Sequence, residues 1–235
     1  MFESWWKSKK PPKSIVAQRT LYDIRDNNSY TIRKLADGNC WMTSNLKYTL
    51  TANSTAIGVN YSTNETFAFN TGATCATDGA CIMNGNTVMT EHVTNGGYYY
   101  SWYAATAGTG TASMASGDAT GSICPKGWRL PANYTSDPDK SYGGITLVYL
   151  GFYVNTLADH HLILEGAPLQ FVRSGNYFSG SFHNMNLGGY AASSTASATD
   201  SNYLLAYSTI VNPSRTDPQF SYYKYTGFPV RCVAR

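Results

Sequence analysis

The stretch LYDIRDNNSYTIRKLADGNCWMTSNL, residues 21–46, carries the clearest structural signal of the chain. An alternating run from Leu21 to Arg25 precedes the turn letters DNNS, and a second run from Tyr30 to Leu35 precedes the turn letters DGN. Alternation with a period of two on both sides of an Asn/Asp-rich turn is typical of a β-hairpin. The stretch therefore predicts two antiparallel strands early in a β-rich domain.

Outside this hairpin, further strands are predicted from short apolar runs bounded by Gly, Pro, Asn, Asp or Ser. They are Tyr98–Ala105, Leu162–Glu165, Leu169–Arg173, Gly188–Thr195, Tyr203–Ile210 and Gly227–Ala234. Residues 51–97, rich in Asn, Thr, Ser and Gly, predict a long surface excursion with little regular structure. Three- and four-residue apolar spacing predicts a helix from Gly143 to Thr156. The predicted fold class is α+β, with many short strands, one or two helices and long loops.

Composition narrows the function classes. Charged residues are 13% of the chain, against a typical ~25%, which disfavours a helical bundle because its outer faces need Glu and Lys. The net charge of +3 is too small to indicate a dedicated nucleic-acid binder. A hydrophobic content of 43% excludes wholesale disorder. The 235 residues suit a single domain, which we assign to residues 19–235.

Residues 1–18 are predicted to be a basic tail or linker. Four lysines surround a Pro-Pro pair that disfavours helix: Lys7, Lys9, Lys10 and Lys13. The alternative is an electrostatic foot on a membrane or partner. No apolar stretch follows the basic residues, so no secretory signal is visible and export would need another route or a removed leader. The longest apolar run, Ile145–Tyr153, is interrupted by Gly151 and is shorter than the ~20 residues of a membrane helix.

Five cysteines are too dispersed for a structural zinc site: Cys40, Cys75, Cys81, Cys124 and Cys232. Two bridges are considered, Cys75 with Cys81 as a local clip and Cys124 with Cys232 as a long closure. The alternative is that all five are reduced, because no signal peptide certifies an oxidising compartment.

Four separated strings carry a family resemblance: residues 21–46, YYYSWYAATAGTG at 98–110, SICPKGWRLP at 122–131 and GFPVRCVAR at 227–235. Together they resemble the Fibrobacter major paralogous domain family. That family is similar to the C-type-lectin fold in its formylglycine-generating-enzyme-like branch, as used by variable proteins of diversity-generating retroelements. The resemblance implies that the first and last strands pair and that a compact frame presents a loop-rich surface.

The resemblance also sets expectations for particular residues. Trp41, Trp102 and Trp128 are expected as core anchors, the alternative being ligand stacking. Pro125 and Pro131 would limit strand pairing to the short piece between them. The positions of Cys124 and Cys232 in framework strings agree with their pairing.

In retroelement variable proteins, diversity concentrates near the C-terminus, and residues 175–225 fit that expectation as a variable binding region. Tyr offers contact area at low entropy cost, and Ser, Gly and Asn adapt their hydrogen bonds, as in antibody paratopes. The candidate ligand-binding residues are Tyr177, Phe178, Phe182, His183, Asn184, Asn186, Tyr190, Asp200, Asn202, Tyr203, Tyr207, Tyr222, Tyr223 and Tyr225.

Two observations leave alternatives open. Tyr and Ser are common throughout the chain, so this region is alternatively an ordinary solvent-exposed sheet. Ala191 and Ala192 stand where relatives often show an aromatic residue before SST, which means either a reshaped pocket or a lost contact.

Catalytic motifs do not emerge. The histidines are His92, His160, His161 and His183, without metal-binding spacing, and the sequence has neither a GxSxG elbow nor a phosphate cradle. His160 and His161 are predicted to point to opposite sides of a strand, and Cys40 and Cys232 are assigned to structure. No organic cofactor is indicated.

Calcium is the one metal considered, through oxygen ligands at Asp23, Asp26, Asn27 and Asn28 or at Asp137 and Asp139. Turn chemistry explains both groups without a metal.

The leading hypothesis is a non-enzymatic receptor or adhesin on a cell surface, secreted or on a virion, binding a protein or glycan of another cell or virus host. It predicts that changing Tyr203, Tyr222 and Tyr223 to Ala abolishes binding without loss of thermal stability. The alternatives are a static structural surface or viral appendage protein and an oxidase with a reactive thiol.

Overall fold

The computed structural model describes residues 17–35, 37–48, 55–70, 82–83, 97–133, 160–179, 181–198 and 204–235. Strands account for 44% of it, so the α+β prediction is wrong and the protein is mostly β. The helical segments of the described part are α1 (Trp102–Ala105) and α2 (His160–Glu165). The predicted helix at Gly143–Thr156 lies outside the described residues. Nothing in the described part is a helix with the length and apolarity needed to span a bilayer.

The predicted hairpin is confirmed and opens a five-stranded antiparallel sheet. Leu21 pairs with Tyr30 and Arg19 with Ile32. The strands of this sheet are β1 (Arg19–Tyr22), β2 (Ser29–Lys34), β3 (Cys40–Met42), β10 (Trp128–Arg129) and β16 (Val233–Ala234). Their order is β1-β2-β3-β16-β10. The first and last strands therefore do not pair: β2 and β3 separate them, because β16 fills the gap between β3 and the short strand bracketed by Pro125 and Pro131.

Arg25 ties this hairpin to the rest of the frame. Its guanidinium binds Asp23 at 2.6 Å and donates to the carbonyl oxygens of Ile57 and Ile123, both at 2.8 Å. It also lies 3.9 Å from the ring centroid of Tyr48. The segments of Tyr48, Ile57 and Ile123 all contact the planar guanidinium of Arg25. These contacts fix the position of the turn around Asp23.

The excursion predicted for residues 51–97 contains a regular hairpin. β4 (Thr55–Asn60) pairs with β5 (Glu65–Asn70), and β4 also pairs with β9 (Gly121–Ser122). The expectation of little regular structure is wrong there, because alternating Ile57, Val59 and Phe67, Phe69 outweigh the polar composition around them. β6 (Ile82–Met83) pairs with β7 (Tyr99–Tyr100).

Two predicted strands contain helix instead. The run Tyr98–Ala105 forms β7 and then α1, because the Ser101 hydroxyl caps the helix by accepting from the Ala104 amide at 3.3 Å. The run Leu162–Glu165 belongs to α2, so His160 and His161 follow each other on a helical turn and not on a strand. Leu169–Arg173 has no strand.

A four-stranded sheet covers the C-terminal half, in the order β15-β14-β13-β8. Its strands are β8 (Gly117–Asp118), β13 (Gly189–Ala196), β14 (Leu205–Asn212) and β15 (Arg215–Tyr223). β13 and β14 agree with the prediction, whereas β15 is missing from it. A small hairpin of β11 (Asn176–Phe178) and β12 (Ser181–His183) precedes this sheet. Of the predicted Gly227–Ala234 strand, the last two residues form β16 and Gly227 and Phe228 form isolated bridges.

The core contains the predicted tryptophan anchors and the long disulfide. Trp41, Trp102 and Trp128 are 1%, 4% and 8% exposed, which confirms core packing. Cys124 and Cys232 are bonded, with Cα atoms 5.9 Å apart. Cys40 is a half-buried free thiol, and the predicted Cys75–Cys81 clip lies outside the described residues.

Candidate functional site

Four aromatic rings meet at the end of β15, in the four-stranded sheet. We refer to Phe178, Tyr222, Tyr223 and Tyr225 as the ring cluster. The rings of Tyr223 and Tyr225 stack with centroids 5.0 Å apart and planes 14° apart. Phe178, from the small hairpin, stacks at 5.8 Å on Tyr225 and at 6.2 Å on Tyr223. Because Tyr223 and Tyr225 are each 42% exposed, the cluster presents aromatic surface to solvent.

Lys224 fixes the outward direction of its two neighbours. Its ammonium is buried and donates to the carbonyl oxygens of Thr111 at 3.1 Å and Met114 at 2.7 Å. The same ammonium lies 4.8 Å from the Trp102 ring centroid. β15 ends at Tyr223, and Lys224 and Tyr225 lie in the turn that the Thr226 N–H closes on the Tyr223 carbonyl oxygen at 2.9 Å. With the Lys224 side chain buried in this turn, Tyr223 and Tyr225 on either side of it remain at the surface.

Tyr222 and Tyr190 form the inner side of the site. Tyr222 packs edge-on against Phe228 at 5.7 Å, and Tyr190 stacks on Phe228 at 5.3 Å. Burial raises the pKa of Tyr190, which is 7% exposed. These two predicted ligand-binding residues therefore support the exposed rings from below, and Tyr190 offers almost no surface to a ligand.

The β11–β12 hairpin places Phe178 and sends its neighbours inward. Phe182 meets Tyr177 at 4.9 Å and the fully buried Tyr99 at 5.3 Å, both edge-on. Tyr177 exchanges two backbone hydrogen bonds with Gly227, at 2.9 and 2.8 Å. Tyr177 and Phe182 therefore attach the hairpin to the frame, while Phe178 points into the ring cluster.

Polar predicted residues complete the hairpin. His183 Nε2 lies 3.1 Å from the Phe178 carbonyl oxygen and 3.0 Å from the Ser181 hydroxyl. Asn184 donates to Tyr190 Oη at 3.2 Å and to Asn176 Oδ1 at 3.0 Å. Asn184 and Asn186 both have left-handed backbone, with φ of 56° and 62°, which shapes the turn into β13.

The remaining predicted residues divide into two groups. Tyr207 is half-buried in β14, where its carbonyl oxygen accepts from Ser193 at 2.8 Å. Asp200, Asn202 and Tyr203 lie outside the described residues. The structure thus joins Phe178 with Tyr222, Tyr223 and Tyr225 and assigns other predicted positions to support.

A small opening next to the ring cluster involves residues that the sequence did not select. Its volume is about 10 Å³, roughly the space of one water molecule. It is lined by Trp102, Ala192, Ala206, Tyr207, Tyr222, Tyr223, Thr226 and Phe228. Ala192 is one of the two positions where relatives often show an aromatic residue, and it lines this opening. The Ala-Ala departure was the one sequence signal for it.

Metal and thiol chemistry find little support among the described residues. They contain no group of three His, Cys, Asp or Glu side chains placed to hold a metal ion. Asp23 is bound to Arg25, and Asp26 accepts from Asn28 at 2.8 Å, as in ordinary turns. Asp137 and Asp139 lie outside the described part. Cys232 is oxidised to the disulfide with Cys124, so it offers no thiol to pair with Cys40.

Replacing Gly175 by alanine is expected to destabilise the base of the hairpin by about 3 kcal/mol. Gly175 has φ of +66°, and an added Cβ would lie 2.3 Å from the His183 carbonyl oxygen. Gly108→Ala is the matched control, because Gly108 has φ of +75° and open space around it; it should cost about 1 kcal/mol. Chemical denaturation measures both, and equal losses would contradict the steric argument.

Comparison with known proteins matches part of the chain to a protein family. No curated protein matches the chain, and no solved structure does. The matched segment begins near β3, ends just after β10 and stops before the hairpin that carries Phe178. Residues 36–134 match the family model of the Fibrobacter succinogenes major domain.

Proposed function

We propose that the protein is a non-enzymatic ligand-binding protein whose contact surface is the ring cluster. The observation that carries the proposal is the meeting of three near-parallel rings, from two separate chain segments, at a solvent-exposed position. Aromatic side chains contribute large contact area at low entropy cost and are enriched where binding energy concentrates.

Rigid support beneath the rings favours recognition. Lys224 is held by carbonyl oxygens, Tyr222 packs on Phe228, and Tyr177 is bonded to Gly227. Rings that are already ordered lose little entropy on binding, so more of the contact energy becomes affinity.

Membership among the variable proteins of diversity-generating retroelements is the finer part of the proposal, together with a C-type-lectin-like frame and a cell-surface, secreted or virion location. The family match at residues 36–134 and the exposed rings within residues 175–225 support it. DNA sequencing of the locus provides the test. A reverse-transcriptase gene and an imperfect repeat of the 3′ coding end, differing at adenines, are expected; a locus lacking both would contradict it.

A static structural surface or appendage protein is the second candidate, and a different observation favours it. Tyr22, the last residue of β1, and Ile24, in the turn of the first hairpin, are 69% and 89% exposed. Apolar side chains at a sheet edge suit contacts with further copies of the chain. This function would use the first hairpin and would leave the ring cluster without a role.

Changing both Tyr223 and Tyr225 to serine is expected to abolish binding, because the exposed stacked rings are removed while the backbone contacts of the segment remain. Binding is measured on arrays of glycans and of purified cell-surface proteins, with thermal unfolding in parallel. The melting temperature should change little, since both rings are partly exposed. Tyr222 is left unchanged, because its ring packs against Phe228. The combined change of Tyr203, Tyr222 and Tyr223 to alanine, considered from the sequence, would therefore lower stability as well as remove surface rings.

Tyr22→Ser is the matched control, an exposed tyrosine in the other sheet. It should retain every array signal of the unaltered protein. Equal binding by the control and the double variant would exclude the ring cluster as the contact surface, and loss in the control alone would favour the first hairpin.

A further inference from the structure

Two buried polar groups beside the ring cluster have no hydrogen-bond partner: the indole nitrogen Nε1 of Trp102 and the hydroxyl Oγ1 of Thr226. Trp102 is 4% and Thr226 1% exposed. Both residues line the opening of about 10 Å³ that Tyr223 also borders. A single small opening is therefore bordered by two residues that each carry an unpaired polar atom and by one exposed ring.

A buried polar group without a hydrogen-bond partner destabilises the folded state, because it has lost its hydrogen bonds to water. Because both residues border one opening, an oxygen atom that entered it could accept from Nε1 and share a hydrogen with Oγ1, and both groups would then be paired. The volume suits that occupant, because it is close to the space of one water oxygen. A ligand that delivers a hydroxyl replaces the water and repeats its hydrogen bonds.

Charge and shape restrict the ligand further. The lining consists of aromatic side chains, two alanines and a threonine, all uncharged. The nearby ammonium of Lys224 is directed at the carbonyl oxygens of Thr111, Ala112 and Met114. A neutral ligand is therefore favoured over an anionic one, because no cation of the lining would compensate a buried negative charge.

We propose that this opening seats one hydroxyl group of a neutral saccharide, whose ring lies against Tyr223 and Tyr225. A pyranose offers hydroxyls along its edge and C–H groups on its face, which match an inner pair of hydrogen-bonding groups beside exposed aromatic rings. This inference rests on the proposed binding function and adds the ligand class and its anchor. We refer to this opening as the seat. Ala192 and Ala206 keep it open, since larger side chains would fill it.

The experiment follows the indole N–H signals of the five tryptophans by two-dimensional NMR while methyl glycosides of glucose, galactose and mannose are added. Trp102→Phe identifies the Trp102 signal by its loss. At least one glycoside is expected to move this signal saturably. Thr226→Val should lower the affinity for that glycoside about 10-fold, which corresponds to the loss of one hydrogen bond of about 1.4 kcal/mol.

Further variants keep the test independent of folding. Ala192→Val fills the seat without removing a polar atom and should also abolish the shift, whereas Tyr22→Ser should leave it unchanged. N-acetylserine amide is added in a separate titration, because a peptide hydroxyl is the competing source. Three results would overturn the proposal. The Trp102 signal could shift with this amide and with no glycoside, or it could shift with none of the added compounds. Alternatively, Thr226→Val and Ala192→Val could both bind the glycoside as well as the unaltered protein does.

Failure of the seat is distinguishable from failure of the binding function. If the seat alone is wrong, Tyr223 and Tyr225 substitutions still abolish array binding while Thr226→Val and Ala192→Val leave it intact. If the binding function is wrong, array signals persist in the tyrosine double variant as well.

Discussion

Replacing both Cys124 and Cys232 by alanine is expected to lower the free energy of unfolding by about 4 kcal/mol. The bridge joins residues 108 positions apart, and both cysteines are fully buried. Closing so long a loop removes much of the conformational freedom of the unfolded chain. The bridge also joins the segment before β10 to the one before β16, so the pairing of these two strands at one edge of the first sheet depends on it.

Guanidinium chloride denaturation, followed by tryptophan fluorescence, measures this loss. Cys40→Ala is the matched control, because Cys40 is a half-buried free thiol; its expected change is within about 0.5 kcal/mol. Adding a reductant to the unaltered protein should shift its midpoint toward that of the double variant. A double variant as stable as the control would show that the closure contributes nothing.

Replacing Arg231 by methionine should cost about 3–5 kcal/mol, the range for breaking buried charged networks. Arg231 is 1% exposed and donates to Asn45 Oδ1 at 2.8 Å, Leu169 O at 2.6 Å and Gln170 O at 2.7 Å. Methionine fills similar space but leaves all three acceptors without this donor. Gln170 has φ of +51°, so the segment that loses its anchor is also strained.

Arg215→Met provides the comparison on the surface. Arg215 pairs with Asp217 at the exposed start of β15, and an exposed pair contributes at most about 1 kcal/mol. Urea denaturation of both variants gives the difference. Arg231→Lys keeps the charge and changes the geometry. A compact ammonium cannot take the places of the three separate nitrogens, Nε, Nη1 and Nη2, with which the planar guanidinium reaches its acceptors. The free energy of unfolding of this variant should therefore remain well below that of the unaltered protein. Equal losses for Arg215→Met and Arg231→Met would refute the role assigned to the buried guanidinium.

Local pattern predicted some elements well. The hairpin at residues 19–34 followed from alternation around DNNS, and the short length of β10 followed from its flanking prolines. β15 was missed because its sequence, RTDPQFSYY, contains a proline and a weak alternation; it forms as a strand because β14 supplies a long partner. α1 was missed because a capping serine outweighed the strand propensity of the aromatics before it.

The candidate site shows the same limits. Tyrosine abundance selected residues 175–225 as the candidate region but did not separate Tyr190, at 7% exposure, from Tyr223, at 42%. That separation depends on Lys224, whose burial under Trp102 directs the adjacent rings outward. No property of the YYKY letters predicts which side faces solvent, since the deciding contacts are with Thr111 and Met114, about 110 residues away.

By itself, the sequence predicted the N-terminal hairpin. It favoured core positions for the three tryptophans and a bridge between Cys124 and Cys232, and in both cases the structure decided against the open alternative. Turn residues, alternation and framework strings can be recognised in the sequence without knowing which segments lie in contact in the folded protein. The tertiary structure alone decided that Phe178 meets Tyr223 and Tyr225, and that Trp102 and Thr226 border one opening. Those arrangements join segments that are distant in the chain, and the packing that unites them is a property of the folded core.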